Sequence, residues 1–195
     1  MSGQSQYSFI LASASPRRKQ LLTEAGYKFT VLRPDIDESD FPTKNVKPCE
    51  YAERLALAKA KNIAEKHPDC LVIAADTIAD FGGQIIGKPT DAMEAEQITN
   101  KLFSRPHKVI TGIAIVILRD GIEINQSDTT TIYPKKLTAE QIAEHIKSGT
   151  WRDKAGAYAI QENGDEFIER IEGSLTNVMG LPMELLERLL KRLIE

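Results

Sequence analysis

A strand-like segment near the start of the chain runs directly into a cationic helix. Apolar residues 8–12 precede small hydroxyl residues, of which Ser15 suits the N-cap, and Pro16 suits the first helical position. Arg17 and Arg18 follow in the first turn, where cations oppose the helix dipole and are not favoured by helix stability alone. A bound anion would explain them, because free backbone N–H groups and forked guanidinium donors match phosphate oxygens. An ordinary cap followed by a solvated basic turn is the alternative.

A single aspartate is the second candidate group. Asp76 follows the continuous apolar run 70–75, a pattern typical of a central strand, so we predict that it lies where a buried strand ends. Functional residues often stand at that position in open α/β sheets. An aspartate there can act as a general base or hold a hard cation, whereas capping the next turn is the alternative.

Other charged residues could meet a phosphate or a cation. Lys88 lies between a glycine and a proline, and Lys59 lies on a predicted helix; each could reach a phosphate or remain a surface lysine. The polar segment before that helix carries Asp37 and Glu38. Either could hold Mg²⁺ together with Asp76, because Mg²⁺ in phosphate enzymes takes one or two carboxylates plus substrate oxygens. A solvated acidic loop is the alternative.

The run DKAGAYAIQ at 153–161 is the last candidate. Its small residues would let the backbone approach a ligand closely. Gln161, at the end of a predicted strand over 157–160, offers both a donor and an acceptor, which suits the edge of a base. Alternatively, Asp153 and Lys154 form a plain surface pair and Gln161 faces water.

Composition limits the classes of function. The 195 residues, 42% hydrophobic and 27% charged, suit one globular domain over residues 1–195. A formal net charge of −3 argues against a nucleic-acid partner, because there is no overall positive field. The sequence has no signal-peptide pattern and no apolar run near ~20 residues, so we expect a cytoplasmic protein with no membrane partner. Cys49 and Cys70 fit free thiols in a reducing compartment.

The order of predicted elements favours an α/β fold. Strands are predicted at 8–13, 27–32, 70–75, 85–86, 108–118, 122–132, 157–160 and 167–168, and helices at 16–25, 50–66, 91–103, 138–147 and 182–194. A βαβ-like start followed by hairpin strands predicts α/β layers around a mixed sheet. Two lobes that share one sheet are compatible with this order.

Together these runs resemble the Maf family of nucleoside triphosphate pyrophosphatases. The matching pieces, in the family's order, are SASPRR at 13–18, LALAKA at 55–60, ADT at 75–77, GKP at 87–89, TG at 111–112, DKAGAYAIQ at 153–161 and GLP at 180–182. Each piece is short, but the ordered set is highly specific and spans nearly the whole chain, from Leu11 to Pro182.

The resemblance implies a fold, an activity and an assembly. The fold is the Maf/inosine-triphosphatase-like α/β fold, with an elongated mixed β-sheet, flanking helices and two lobes around a cleft. Members hydrolyse a nucleoside triphosphate to the monophosphate and pyrophosphate with a divalent cation, Mg²⁺ or Mn²⁺. They often form homodimers, and their role in nucleotide metabolism includes sanitation of the nucleotide pool.

The resemblance also assigns roles to residues by position. The family's catalytic base falls on Asp76, and its metal-associated acidic position falls on Glu38, so that Asp76 and Glu38 would hold the cation together. The phosphate-contacting residues fall on Ser13, Arg17, Arg18, Lys59 and Lys88. The positions linked to substrate choice fall on Arg17, Thr77 and Gln161.

Base preference is the finest expectation from the sequence. AYAIQ at 157–161 resembles the members that act on dTTP and UTP. Ala75 and Glu162 stand where many members have glycine, and the second departure falls in the loop that lines the base pocket. Two alternatives remain: a pyrophosphatase for 7-methyl-GTP or another non-standard nucleotide, and a nucleotide-binding regulator of cell division or septum formation.

Overall fold

The chain forms one mixed β-sheet with helices packed on both faces. The structure is a computed structural model that describes residues 8–158, 160 and 167–193. Its strands are β1 (Ser8–Ala12), β2 (Lys28–Leu32), β3 (Val72–Phe81), β4 (Gln84–Ile86), β5 (His107–Ile117), β6 (Ile122–Pro134) and β7 (Ile168–Glu172). Its helices are α1 (Pro16–Glu24), α2 (Pro48–Ala64), α3 (Ala92–Leu102), α4 (Ala139–Ser148), α5 (Leu175–Val178) and α6 (Met183–Arg192), with 3₁₀ turns at Glu38–Asp40 and Ala155–Ala157.

The sheet combines parallel and antiparallel pairing. Its strand order is β2-β1-β3-β5-β6-β7, and β4 pairs with β3. β1 is parallel to β2 and β3, whereas β5 is antiparallel to β3 and β6, and β7 is antiparallel to β6. The predicted α/β fold with a mixed sheet is therefore confirmed. The register places Asp76 opposite Gly112 and Thr77 opposite Thr111, at the middle of the sheet.

Alternate residues of the central strands contribute to two core layers. Leu11 and Ile73 pack with Leu186 of α6 on one face. Ile10 and Val72 pack against α2 on the other face. Because both faces of these strands are buried, they appear in the sequence as continuous apolar runs rather than as alternating ones.

Helix α2 lies unusually close to the sheet. Its inner face carries the small residues Ala52, Ala56 and Ala60, all fully buried. A Cβ at Gly112 of β5 would lie only 2.4 Å from the carbonyl oxygen of Ala52, so only glycine fits there. This contact between backbones fixes the height of α2 above β3, and with it the position of any side chain that α2 directs toward the sheet.

A third core cluster lies toward the other end of the sheet. The ring of Phe103, after α3, packs edge-on against Tyr158 and Phe167, with centroid distances of 5.3 Å and 5.6 Å. Trp151 is buried in the same cluster. These aromatic contacts support the run 151–158, which follows α4, includes the 3₁₀ turn Ala155–Ala157 and borders the cleft described below.

The structure corrects one predicted boundary. The strand predicted at 70–75 continues as β3 to Phe81, so Asp76 lies within a strand and not at its end. An aspartate is tolerated in the middle of a buried strand because it has a cationic partner, described below. The predicted strands 8–13, 27–32, 85–86, 108–118, 122–132 and 167–168 are present with shifted ends, as are the predicted helices 16–25, 50–66, 91–103, 138–147 and 182–194.

Two other segments differ from prediction. The strand predicted at 157–160 is not observed among its described residues; Ala155–Ala157 form a 3₁₀ turn, in which Gly156 and Ala157 have φ of 74° and 63°. Tertiary hydrogen bonds to other segments hold this backbone, and sequence periodicity does not report them. The short helix α5 was not predicted, because four residues cannot show a helical period. In the part of the chain that the structure describes, no helix has both the length and the apolar character needed to cross a membrane.

Candidate functional site

A cleft of about 830 Å³ opens beside the start of α1 and the middle of β3. The start of α1, the middle of β3, the segment 33–38, the run 152–160 and the segment 178–180 all contribute to its lining. Eight predicted site residues line it: Ser13, Arg17, Arg18, Glu38, Lys59, Asp76, Thr77 and Lys88. Gln161, the ninth, lies outside the described residues, as does Glu162. These eight residues therefore line one space, although they come from segments far apart in sequence.

Lys59 joins two carboxylates at the floor of the cleft. Its Nζ lies 2.5 Å from Asp76 Oδ1 and 2.8 Å from Glu38 Oε1. The side chains of Lys59 and Asp76 are only 11% and 10% exposed, whereas that of Glu38 is 45% exposed. Asp76 and Lys59 thus form a buried ion pair, and Glu38 joins it from the solvent side.

The electrostatics of Glu38 follow from this arrangement. Partial burial raises its pKa, but the hydrogen bond and charge of Lys59 lower it, with further contributions from Lys88 and Arg18. The net result is a pKa below the ordinary glutamate value, so this carboxylate is ionised at neutral pH. Lys88 Nζ is 3.9 Å from Glu38 Oε1 and its side chain is half exposed, which leaves it able to turn toward a ligand.

Arg18 connects three segments through its side chain. Its Nε donates to the carbonyl of Gly180 (2.7 Å), Nη1 to Ser13 Oγ (3.3 Å) and Nη2 to Thr77 Oγ1 (3.1 Å). Burial lowers the pKa of the guanidinium from its ordinary value, and the negative charge of Asp76 opposes that effect. The sequence predicted a phosphate ligand here; the geometry shows that Arg18 also holds α1, β3 and the segment after α5 in place.

Arg17 differs from its neighbour. Its side chain lines the cleft, and no hydrogen-bond or ion-pair partner for it is found among the described residues. In the first turn of α1, Pro16 has no N–H and the Arg18 amide is 3.5 Å from the N-cap hydroxyl of Ser15. The Arg17 amide and guanidinium are therefore both available to an anion in the cleft.

A chain of hydroxyl groups continues from Thr77 into the sheet. Thr77 Oγ1 lies 2.9 Å from Thr111 Oγ1, and Thr111 donates to the carbonyl of Asn177 at 2.9 Å. Asn177 is fully buried and donates to Val109 and Thr130. Because these contacts fix the rotamer of Thr77, its hydroxyl presents a defined hydrogen-bonding group at the cleft.

Comparison with known proteins gives a family match over most of the chain. Residues 8–193 match the family described as Maf-like protein. The chain belongs to the Maf family. Proteins named dTTP/UTP pyrophosphatase from Citrifermentans bemidjiense and Geotalea uraniireducens are each 44% identical to it, over 90% and 92% of both chains respectively. One of the same name from Bdellovibrio bacteriovorus is 42% identical, over 94% of this chain and 97% of its own.

Two solved structures have a fold similar to that of this Maf chain. The Ham1 protein of Staphylococcus aureus superposes with a TM-score of 0.53 at 15% identity, covering 94% of this chain and 98% of its own. A HAM1 protein from Coxiella burnetii gives 0.52 at 14% identity, covering 96% and 100%. At such low identity these structures support the α/β fold alone.

The carboxylates of this Maf chain fit a divalent cation only with help from a substrate. Among the described residues, no group of three or more histidine, cysteine, aspartate or glutamate side chains converges. Asp76 and Glu38 nevertheless face one point, because a single ammonium contacts both. Mg²⁺ bound through one or two carboxylates plus phosphate oxygens needs no more than this from the protein.

Asp37, the other acidic candidate, has a different role. Its Oδ1 accepts a hydrogen bond from the Ser39 amide at 2.9 Å and caps the 3₁₀ turn that carries Glu38. The hydrogen bonds from Ser39 lower its pKa. It is not among the residues that line the cleft, whereas Glu38 is.

Sequence reasoning missed several cleft residues. Arg33 and Arg152 add cations to its lining, and Val109, Val178 and Met179 add apolar side chains. Arg152 directly precedes the run 153–161, which was a usable signal. No sequence pattern marks the three apolar residues as cleft residues, because single valines and methionines are common in any core.

Proposed function

We propose that this chain is a nucleoside triphosphate pyrophosphatase that converts dTTP and UTP to the monophosphate and pyrophosphate. The observation that carries the proposal is the joint approach of Asp76, Lys59 and Glu38 in a cleft that also exposes Arg17 and Lys88. The names of the relatives support the choice of substrate. An acyl-transfer or redox reaction would not need this number of cations around two carboxylates.

The chain's own residues suffice to position a triphosphate. The Arg17 amide and guanidinium, Lys59 and Lys88 meet the negative charge, while Arg18 and Ser13 hold the opening of α1 in place. Phosphoryl transfer depends mainly on such positioning and neutralisation of charge. Asp76 accepts the proton of the attacking water as the bond between the α-phosphorus and the bridging oxygen breaks, and pyrophosphate leaves.

A divalent cation, Mg²⁺ or Mn²⁺, is the proposed cofactor. Asp76 and Glu38 would hold it, and when bound it would neutralise phosphate charge in the transition state. Asp76 cannot serve as a tight metal ligand and as the base for the same proton. Titrating metal against Asp76→Asn separates the roles: if excess Mn²⁺ restores most of the turnover, Asp76 is mainly a ligand, and if it does not, Asp76 is the base.

Selection of the nucleobase of the substrate is assigned to three positions. Arg17 and Thr77 lie in the cleft, and Thr77 has its hydroxyl fixed by Thr111 and Arg18. Gln161 is the third position by resemblance. The apolar side chains of Val109, Val178 and Met179 in the lining could contact a pyrimidine ring. The homodimer, the cytoplasmic location and the role in sanitation of the nucleotide pool are part of this proposal and are supported by resemblance to the family.

A panel of triphosphates tests the function. Purified protein with Mg²⁺ or Mn²⁺ is assayed for pyrophosphate release from dTTP, UTP, CTP, 7-methyl-GTP and a non-standard purine nucleotide. We expect dTTP and UTP to be the best substrates. Fast release from 7-methyl-GTP with poor release from dTTP would replace the substrate assignment. Tight nucleotide binding without pyrophosphate release from any of them would favour a regulatory protein instead.

A further inference from the structure

A buried histidine that takes no part in the proposed chemistry contacts the wall of the cleft. His107, at the start of β5, is 2% exposed. Its Nδ1 lies 3.0 Å from the carbonyl oxygen of Leu102, and its Nε2 lies 2.8 Å from the hydroxyl of Tyr158. A carbonyl only accepts, so Nδ1 carries the proton and the lone pair of Nε2 accepts from Tyr158. Burial lowers the pKa of His107 to about 4, which keeps this neutral tautomer at physiological pH.

Tyr158 links His107 to the cleft. Of the two groups that hydrogen-bond the His107 ring, the carbonyl of Leu102 and the hydroxyl of Tyr158, only Tyr158 belongs to a residue that lines the cleft, among the described residues. Burial raises the pKa of its phenol, so the hydroxyl stays protonated and donates. Its ring packs edge-on against Phe103. A Cβ added at Gly156 would lie 3.4 Å from Cε1 of this ring. His107 and Phe103 thus fix the ring from two sides, one through its hydroxyl and one through its edge.

The backbone around Tyr158 needs such support. Asp153, Gly156 and Ala157 all have positive φ, of 59°, 74° and 63°, and two of them carry a Cβ that disfavours this conformation. The Gly156 amide donates to the carbonyl of Gly87 at 3.0 Å, next to Lys88. A second buried histidine, His145, donates from Nε2 to the carbonyl of Ala157 at 2.8 Å. Without these contacts the run 153–158 would relax away from the cleft.

We propose that His107 is a positioning residue for substrate binding: its hydrogen bond to Tyr158 holds the run 153–158 in the conformation that forms one wall of the nucleotide cleft. The inference rests on the proposed function for the identity of the ligand. His107 itself lies behind the wall and does not line the cleft, so it acts through Tyr158. Its effect belongs to binding, and the reacting carboxylate, Asp76, lies on a different element.

A double-mutant cycle tests this coupling. His107→Leu, Tyr158→Phe and the double variant are compared with wild type for binding of α,β-methylene-dTTP by calorimetry and for kcat and KM of pyrophosphate release. Tyr158→Phe keeps the ring and its packing, so it stays informative if His107→Leu folds poorly. His107→Gln restores an acceptor for the hydroxyl and serves as a rescue. His67→Gln, at an exposed histidine away from the cleft, is the control.

We expect each single variant to raise Kd and KM about tenfold while kcat stays within about twofold, as loss of one buried hydrogen bond predicts. The double variant should bind no more weakly than either single variant, because both remove the same bond. His107→Gln should recover part of the affinity. Unchanged Kd in Tyr158→Phe, or effects that add in the double variant, would overturn the inference. Binding by wild type without pyrophosphate release would overturn the proposed function alone, since the cycle is read from binding.

Discussion

Lys59 Nζ lies 2.5 Å from Asp76 Oδ1, and both side chains are about nine-tenths buried. The pair joins helix α2 to the middle of β3, and it brings a cation into contact with the proposed catalytic carboxylate. Because a buried charge is costly without a partner, the two residues depend on each other in the ligand-free protein. Glu38 shares the same ammonium from the solvent side and connects this pair to the bulk of the cleft.

Lys59→Met should destabilise the fold. The substitution keeps the length of the side chain but leaves Asp76 buried without its counter-ion, at a cost of about 3 kcal/mol. Urea denaturation at pH 7 measures the change in the free energy of unfolding. Lys61→Met is the matched control, because the exposed pair of Lys61 and Glu123, at 2.7 Å, should be worth less than ~1 kcal/mol. Equal effects of the two variants would show that the buried pair has no special weight.

The same variant should bind metal more tightly in the absence of nucleotide. The ammonium of Lys59 occupies the point that Asp76 and Glu38 share, so a divalent cation competes with it. Removing that competing charge should lower the Kd for Mn²⁺ roughly tenfold. Titration followed by electron paramagnetic resonance of free Mn²⁺ gives this value without any turnover. An unchanged or weaker affinity would place the cation elsewhere in the cleft.

The two neighbouring arginines should separate binding from stability. Arg17→Ala should raise KM for the nucleotide at least tenfold with little change in melting temperature, because the side chain serves the ligand alone. Arg18→Ala should lower the melting temperature as well, since it removes contacts to Ser13, Thr77 and Gly180. Kinetics and thermal unfolding of both variants give the comparison. If the two variants behave alike, this division of roles is wrong.

His107 should make stability depend on pH between about 6.5 and about 4. The unfolded histidine binds a proton below about pH 6.5, whereas the folded one does so only near a pKa of about 4. Its contribution is therefore fully present above pH 6.5 and is lost as pH falls through that window, by about 3 kcal/mol in total. Urea denaturation from pH 7 to 4 should show a flatter profile for His107→Gln than for wild type. A profile that keeps its slope would indicate that other groups cause it, and His67→Gln is the control.

Sequence patterns predicted most of the fold because local signals and tertiary structure agree there. The apolar runs became buried strands, and the predicted N-cap Ser15 caps the observed helix α1. The extent of β3 beyond Ala75 was missed, since a charged residue in a strand interior is only tolerated when a distant residue, here Lys59, pairs with it. Such a partner cannot be read from the local pattern.

The residues that line the site were largely predictable from the sequence, but the contacts between them were not. The residues assigned by resemblance, apart from Gln161, line one cleft, but no sequence pattern indicates that Lys59 contacts both carboxylates. The sequence also could not show that Arg18 donates hydrogen bonds to Gly180, Ser13 and Thr77, whereas Arg17 has no such partner in the part of the chain that the structure describes. His107 had no signal at all, because a lone histidine before a β-branched run is most often an ordinary core residue.

The most direct test of the proposed role of Asp76 is pyrophosphate release from dTTP and UTP. Asp76→Asn is compared with wild type at saturating Mg²⁺ or Mn²⁺. Asp80→Asn is the matched control on the same strand, where Asp80 accepts from the amide of Gly83 in a turn. We expect wild type and Asp80→Asn to release pyrophosphate at similar rates, and Asp76→Asn to lose about 10²-fold or more in kcat. Turnover near the wild-type rate in Asp76→Asn would contradict the assignment of Asp76 as the catalytic base.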